Sequence, residues 1–191
     1  MSTPQQEFPR RHPISVDDYY RMAAAGILRE DSRVELIEGA IIDMTPIGRS
    51  HAGTVNYLND AFSQSLRRRA IVSVQHPIRL GEFSEPQPDL ALLRPREDFY
   101  RGGHPEAANI FLVVEVADTS LRYDRDVKMP LYARHGIVEA WLVDVTNGRL
   151  ETFRDPGTDG YRDIRSATFL DRVALLALPE IELNLSDLFP A

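Results

Sequence analysis

Cysteine is absent from all 191 residues, which excludes a disulfide framework and a thiolate zinc site alike. That absence fits a reducing interior. Long apolar runs are missing too: stretches such as Ile110 to Val114 are far too short to span a bilayer. The opening residues, Met1 to His12, are polar and rich in Pro, Gln and Arg, without the apolar centre of a secretory signal. A cytoplasmic protein is expected, with a loose arm at 1–12 and a single domain over 13–191, long enough for a real core. Basic charge is also scarce, with 22 Lys and Arg against 29 Asp and Glu and a net charge of −7. A basic face is the usual footprint of a nucleic-acid binder. Here only Arg67-Arg68-Arg69 and the group Arg94, Arg96 and Arg101 are local candidates. The balance counts against tight, nonspecific DNA binding, but not against chemistry in which a bound cation manages phosphate charge.

What is present reads as a mixed α/β chain. Ser15 before Val16-Asp17-Asp18 forms a capping pattern for a helix that Gly26 can end. Arg33 to Thr45 is strand material folded at Glu38-Gly39. Ser50 is placed to cap a longer helix, in which Ala52, Val55, Leu58, Phe62 and Leu66 share one face. Strand-like runs follow at Ile71 to Leu80, Asp89 to Leu93 and Ile110 to Val114; the last is apolar throughout and suits a strand buried on both faces. A helix is predicted from about Arg125 to His135, bent or divided by Pro130 and ended by Gly136. Ile137 to Asp144 reads as a further strand, Asn147-Gly148 as a type I′ turn, and Asp155-Pro156-Gly157 as the opening of a loop. The tail from Val173 to Phe189 has no clear period. These elements predict one sheet with helices beside it.

Three residues along the central strands form a chemically coherent set: Asp89 after Pro88, Glu115 at the end of the apolar run, and Lys128 on the helix that follows. Two carboxylates at neighbouring strand ends repel and need a cation or a shared proton to coexist. Mg²⁺ takes one or two carboxylates and leaves its other positions to water and phosphate. Such an ion activates a bound water and stabilises phosphoryl charge, and a lysine nearby can assist either task. The plainer alternative is that the acids are solvated or cap a helix, with Lys128 exposed.

Pro88-Asp89 followed by Glu115-Val116-Ala117 resembles the P-D…(D/E)-x-K signature of restriction-endonuclease-like nucleases, with Ala117 where the lysine belongs. The resemblance implies that Lys128, on the neighbouring helix, takes that place. Five phrases stand in order: Arg33 to Gly39, Pro88 to Ala91, Val113 to Val116, Asp126 to Tyr132 and Gly136 to Asp144. Together they resemble the bacterial Uma family of the same superfamily. That likeness implies a restriction-endonuclease-like fold: a central mixed β-sheet flanked by helices, with an added N-terminal helix and β-hairpin. It implies a Mg²⁺- or Mn²⁺-dependent endonuclease acting on DNA, with Asp89 and Glu115 as metal ligands and Asp89, Glu115, Lys128 and Glu35 as catalytic residues. It further implies a homodimer. Where many relatives carry Ser-Pro-Ser after this strand, this chain has Ala117-Asp118-Thr119-Ser120.

Glu35 matches a position tied to the family's active site; it could serve the metal or its water, or face solvent on a period-two strand. His51, in the first turn of its helix, could be a neutral accessory group orienting Glu35, because a helix N-terminus disfavours imidazolium; the plainer reading, that it fills the turn, is preferred. Arg67-Arg68-Arg69 is read as a favourable helix end, Trp141 as core, and Glu139 and Asp144 as solvated or turn residues. His76, His104 and His135 lack ligand-like spacing. Two other functions compete with the metal-dependent nuclease: an inactive nuclease-fold binding or assembly module, favoured by Ala117 and the acidic balance, and hydrolysis of another phosphate compound by the same centre.

Overall fold

The computed structural model describes residues 11–29 and 31–189. The arm expected at 1–12 therefore lies almost wholly outside the described residues. Helix α1 (Val16–Ala24) starts where Ser15 accepts the Asp18 N–H at 3.1 Å. The hairpin β1 (Val34–Ile37) and β2 (Ala40–Asp43) turns at Glu38-Gly39, both with positive φ. Helix α2 (Arg49–Leu66) is capped by Gly48, two residues before the expected Ser50, and no side chain closes that end. Its buried residues Val55, Leu58, Phe62 and Leu66 form the predicted stripe.

The main sheet has six strands in the order β3-β4-β5-β6-β7-β8. These are β3 (Ile71–Val74), β4 (Leu90–Leu93), β5 (Ile110–Ala117), β6 (Glu139–Asp144), β7 (Arg149–Gly157) and β8 (Gly160–Thr168). Only β5 and β6 are parallel, which requires a crossover between them. That crossover holds α3 (Leu121–Tyr123), a π turn over Asp124–Lys128, and α4 (Met129–Arg134). The strand expected at Ile71 to Leu80 forms a ladder only over its first four residues, with an isolated bridge from Arg79 to Glu106 further on. Asp155-Pro156-Gly157 does not open a loop but stays in β7. It can, because β6 pairs no further than Arg154, so the missing Pro156 N–H deprives no neighbour on that side. Asn147-Gly148 is not a type I′ turn: Gly148 has positive φ and Asn147 does not, and Asp144 instead accepts the Asn147 N–H at 3.0 Å in a longer loop.

Strand β5 is buried along its length and serves two cores. Leu112, Val114 and Val116 pack with α2, Trp141 and the tail. Val113 and Ala117 pack with Leu131, Tyr132, Ala140 and Leu142 on the α4 side. Full burial of a side chain such as Leu58 or Leu131 stabilises by about 1.5–3 kcal/mol, so the sheet is fixed from both sides. In the tail, β9 (Arg172–Ala174) pairs with β10 (Glu182–Asn184), and α5 (Leu185–Leu188) follows.

Candidate active site

The register of β4 against β5 assembles the first pair. Leu90 lies opposite Val114 in an antiparallel ladder, and continuing it by one residue faces Asp89 with Glu115. Alternation then sends Glu115 to the same side as Val113 and Ala117, where the crossover packs. The Asp89 carboxylate is held tightly. Its Oδ2 accepts the Val116 N–H at 2.9 Å, and its Oδ1 lies 3.0 Å from His51 Nε2 and 3.2 Å from Gln75 Nε2.

The crossover supplies the cation. Asp124, Lys128 and Tyr132 recur every fourth residue and form one stripe facing the sheet, all three buried. In the π turn the Met129 N–H reaches back to the Asp124 carbonyl, widening the helix just before Pro130. Proline lacks an N–H and crowds the preceding turn, which accounts for the widening at this point. Pro130 thus divides the helix, as its position predicts, yet Lys128 still points inward. Its Nζ lies 3.1 Å from Glu35 Oε2 and 3.3 Å from Glu115 Oε1. The Tyr132 hydroxyl donates to the same Glu115 oxygen. Glu35 is buried rather than solvent-facing, and its Oε2 also accepts the Gln87 N–H at 3.2 Å.

Glu35, Asp89, Glu115 and Lys128 floor a cleft of about 440 Å³. Glu35, Asp43, Asp89, Glu115, Asp118 and Asp124 line it against two cations, Arg33 and Lys128. The imbalance appears in the protonation equilibria. Burial raises the Glu115 carboxyl well above its ordinary range; Lys128 opposes this, and Asp124, Asp89 and Glu35 reinforce it. Burial likewise lifts Asp124 to about 6 despite Lys128 and a 2.6 Å hydrogen bond from Ser120. For Lys128 burial acts against the charge, but Glu115, Glu35 and Asp124 outweigh it and hold the ammonium above the usual lysine range.

Asp89, Glu115, Lys128 and Glu35 are thus brought together. His51 does more than fill the first turn, the reading preferred from the sequence, and it departs from the accessory reading twice. It contacts Asp89, not Glu35, and its proton affinity is raised, because the Asp89 hydrogen bond outweighs burial. Glu139 is also corrected. It is fully buried, accepts from Trp141 Nε1 at 2.9 Å, and pairs with Arg154 at 2.6 Å. Asp144 is a turn residue as expected, and Arg69, beyond the α2 end, pairs with Glu180. Asp124, Tyr123, Gln75 and Gln87 escaped sequence reasoning. For Asp124 the four-residue spacing from Lys128 was a usable signal; the others follow from long-range packing.

The donor set suits a hard divalent cation: it is all oxygen, and both contacts to Glu115 fall on Oε1, leaving Oε2 for an ion. Among the described residues no three His, Asp or Glu side chains form a ready metal cage. An ion here would therefore draw on Asp89 and Glu115 and complete its shell with water and substrate. That division is ordinary for Mg²⁺.

The model of the Uma2 family, described as "Putative restriction endonuclease", matches residues 16–186. The fold is similar to the crystal structure of a "putative nuclease belonging to DUF820" from Anabaena variabilis, with a TM-score of 0.74 and 18% identity over 93% of this chain and 98% of that one. At that identity the likeness is one of fold, and the fold is restriction-endonuclease-like. No curated protein matches.

Proposed function

The chain belongs to the Uma2 family, and from that membership we propose that it is a divalent-metal-dependent nuclease hydrolysing phosphodiester bonds in DNA. The observation that carries the reading is the buried Lys128 ammonium between Glu35 and Glu115, in a cleft where carboxylates outnumber cations. Asp89 and Glu115 would hold Mg²⁺ or Mn²⁺, and such an ion, when bound, lowers the pKa of a coordinated water and offsets charge on a phosphoryl oxygen. Lys128 donates a hydrogen bond to the attacking water or to the phosphoryl oxygen where negative charge grows. Glu35 keeps that ammonium charged and aimed, Tyr132 fixes Glu115, and His51 with Gln75 fixes Asp89. The protein would act as a cytoplasmic homodimer, and light scattering tests its assembly.

A second reading, an inactive scaffold that binds or assembles, has its own support. Lys128 already satisfies two carboxylates, and both Asp89 oxygens are engaged within the protein. Incubation with Mn²⁺ and single-stranded, duplex or branched DNA separates the two. Metal-dependent cleavage lost in Asp89→Ala supports the nuclease. Absence of both cleavage and Mn²⁺ binding supports the scaffold.

A further inference from the structure

The cleft has two unlike walls. One is the carboxylate-lysine floor. The other is the end of β2 with the segment that leads to α2, which together bring Ile42, Met44, Pro46 and Ile47 against the same space. Ile47 is 41% exposed, a large apolar side chain facing water at the edge of a charged site. At about 440 Å³ the cleft lies in the lower part of the range for a single small ligand, about 300–1,000 Å³.

Charge narrows the occupant. A protein that follows a duplex needs cationic side chains along the phosphate backbone. Here six carboxylates line the cleft against Arg33 and Lys128. Just outside, Arg125 is paired with Glu151 at 2.7 Å and Arg122 with Asp126 at 3.4 Å. Affinity must come from inside the cleft, through apolar contact between its aliphatic wall and a base. A paired base inside a duplex cannot offer its face to a wall.

Resting on the nuclease reading above, we propose that the substrate is an unpaired DNA nucleotide. Its base lies on the Met44–Ile47 wall, and its phosphate lies at the Lys128 floor. The protein cuts single-stranded tails, flaps or loops and spares continuous duplex.

The test uses the full chain with Mn²⁺ and a hairpin DNA carrying a single-stranded tail. Cleavage is expected in the tail and loop, with the duplex cut at least about tenfold more slowly, the equivalent of about 1.4 kcal/mol. Raising salt from 50 to 200 mM should slow cleavage only a few-fold, far from the 10³–10⁵ loss in affinity of a protein holding about 6–10 phosphates. The exposed Ile47→Asp should raise KM for the tail about tenfold. Equal cutting of duplex, a steep salt dependence, or an unchanged KM in Ile47→Asp overturns the inference while leaving the nuclease standing. Should no DNA be cut, calorimetry with thymidine 5′-monophosphate still decides. Binding weakened by Ile47→Asp keeps the nucleotide pocket although the nuclease reading falls, and absence of binding removes both.

Discussion

Lys128 Nζ stands 3.1 Å from Glu35 Oε2, so a residue of the crossover neutralises one from the N-terminal hairpin inside the protein. Neither side chain is exposed beyond 6%. Taking two charges out of water is costly, and it is tolerated only while each keeps its partner.

Removing one partner should therefore cost more than a surface pair would. Glu35→Ala leaves Lys128 with Glu115 alone on the floor, and a loss of about 2–4 kcal/mol in folding stability is expected. Urea unfolding measures it. Glu35→Gln, which keeps shape and a hydrogen-bond acceptor, should lose less. Equal losses would mean that packing rather than charge holds this contact.

Lys128→Met should make stability depend on pH. It leaves Glu35, Glu115 and Asp124 buried without their shared counterion, so the variant should be least stable near neutrality and recover on acidification. Thermal unfolding of the variant between pH 5 and pH 8 measures this. The nuclease reading adds that its Mn²⁺-dependent cleavage disappears.

Asp124 gives a pH dependence with a definite sign. Burial pushes its carboxyl up to about 6 in the folded protein, from an ordinary value of 3.8. Between those values the folded chain keeps a proton that the unfolded chain has released, so stability falls as pH rises through the window and levels off above about 6. Asp124→Asn has no such titration. The stability difference between variant and parent should thus shift in the variant's favour by about 1–3 kcal/mol from pH 4 to pH 7. Denaturant midpoints across that range check it, and a constant difference contradicts it.

His51→Ala should weaken Mn²⁺ binding without unfolding the chain. The imidazole touches Asp89 at 3.0 Å and is only partly enclosed, so its loss frees the carboxylate more than it opens the core. Partners that orient a metal ligand are typically worth about 10–100-fold in affinity. Calorimetric titration reads that change, and circular dichroism reports the fold.

The sheet and the Asp89-Glu115 pairing were legible because short apolar runs set the strands and alternation sets their faces. Lys128 was legible through Ala117: a missing lysine directs attention to the next helix. Glu139 was misread although the signal existed, for β6 and β7 place it opposite Arg154 and convert a suspected solvated acid into a buried pair. The partner of His51 was not legible. Its contact with Asp89 spans the chain from α2 to β4, and no local period encodes which carboxylate meets a histidine on another element. Asp124 lay in a stretch read as the approach to a helix, before the π turn made it part of the stripe. The short β3 and the extended β7 depend on where a neighbouring strand stops, which period-two patterns do not encode.

The most direct test of the proposed site is Mn²⁺ titration of the full chain by calorimetry, beside Asp89→Ala and Glu115→Ala. The proposed centre requires saturable binding to the parent that each substitution abolishes while the circular dichroism spectrum stays unchanged. No heat of binding in the parent, or undiminished binding in both variants, would contradict it.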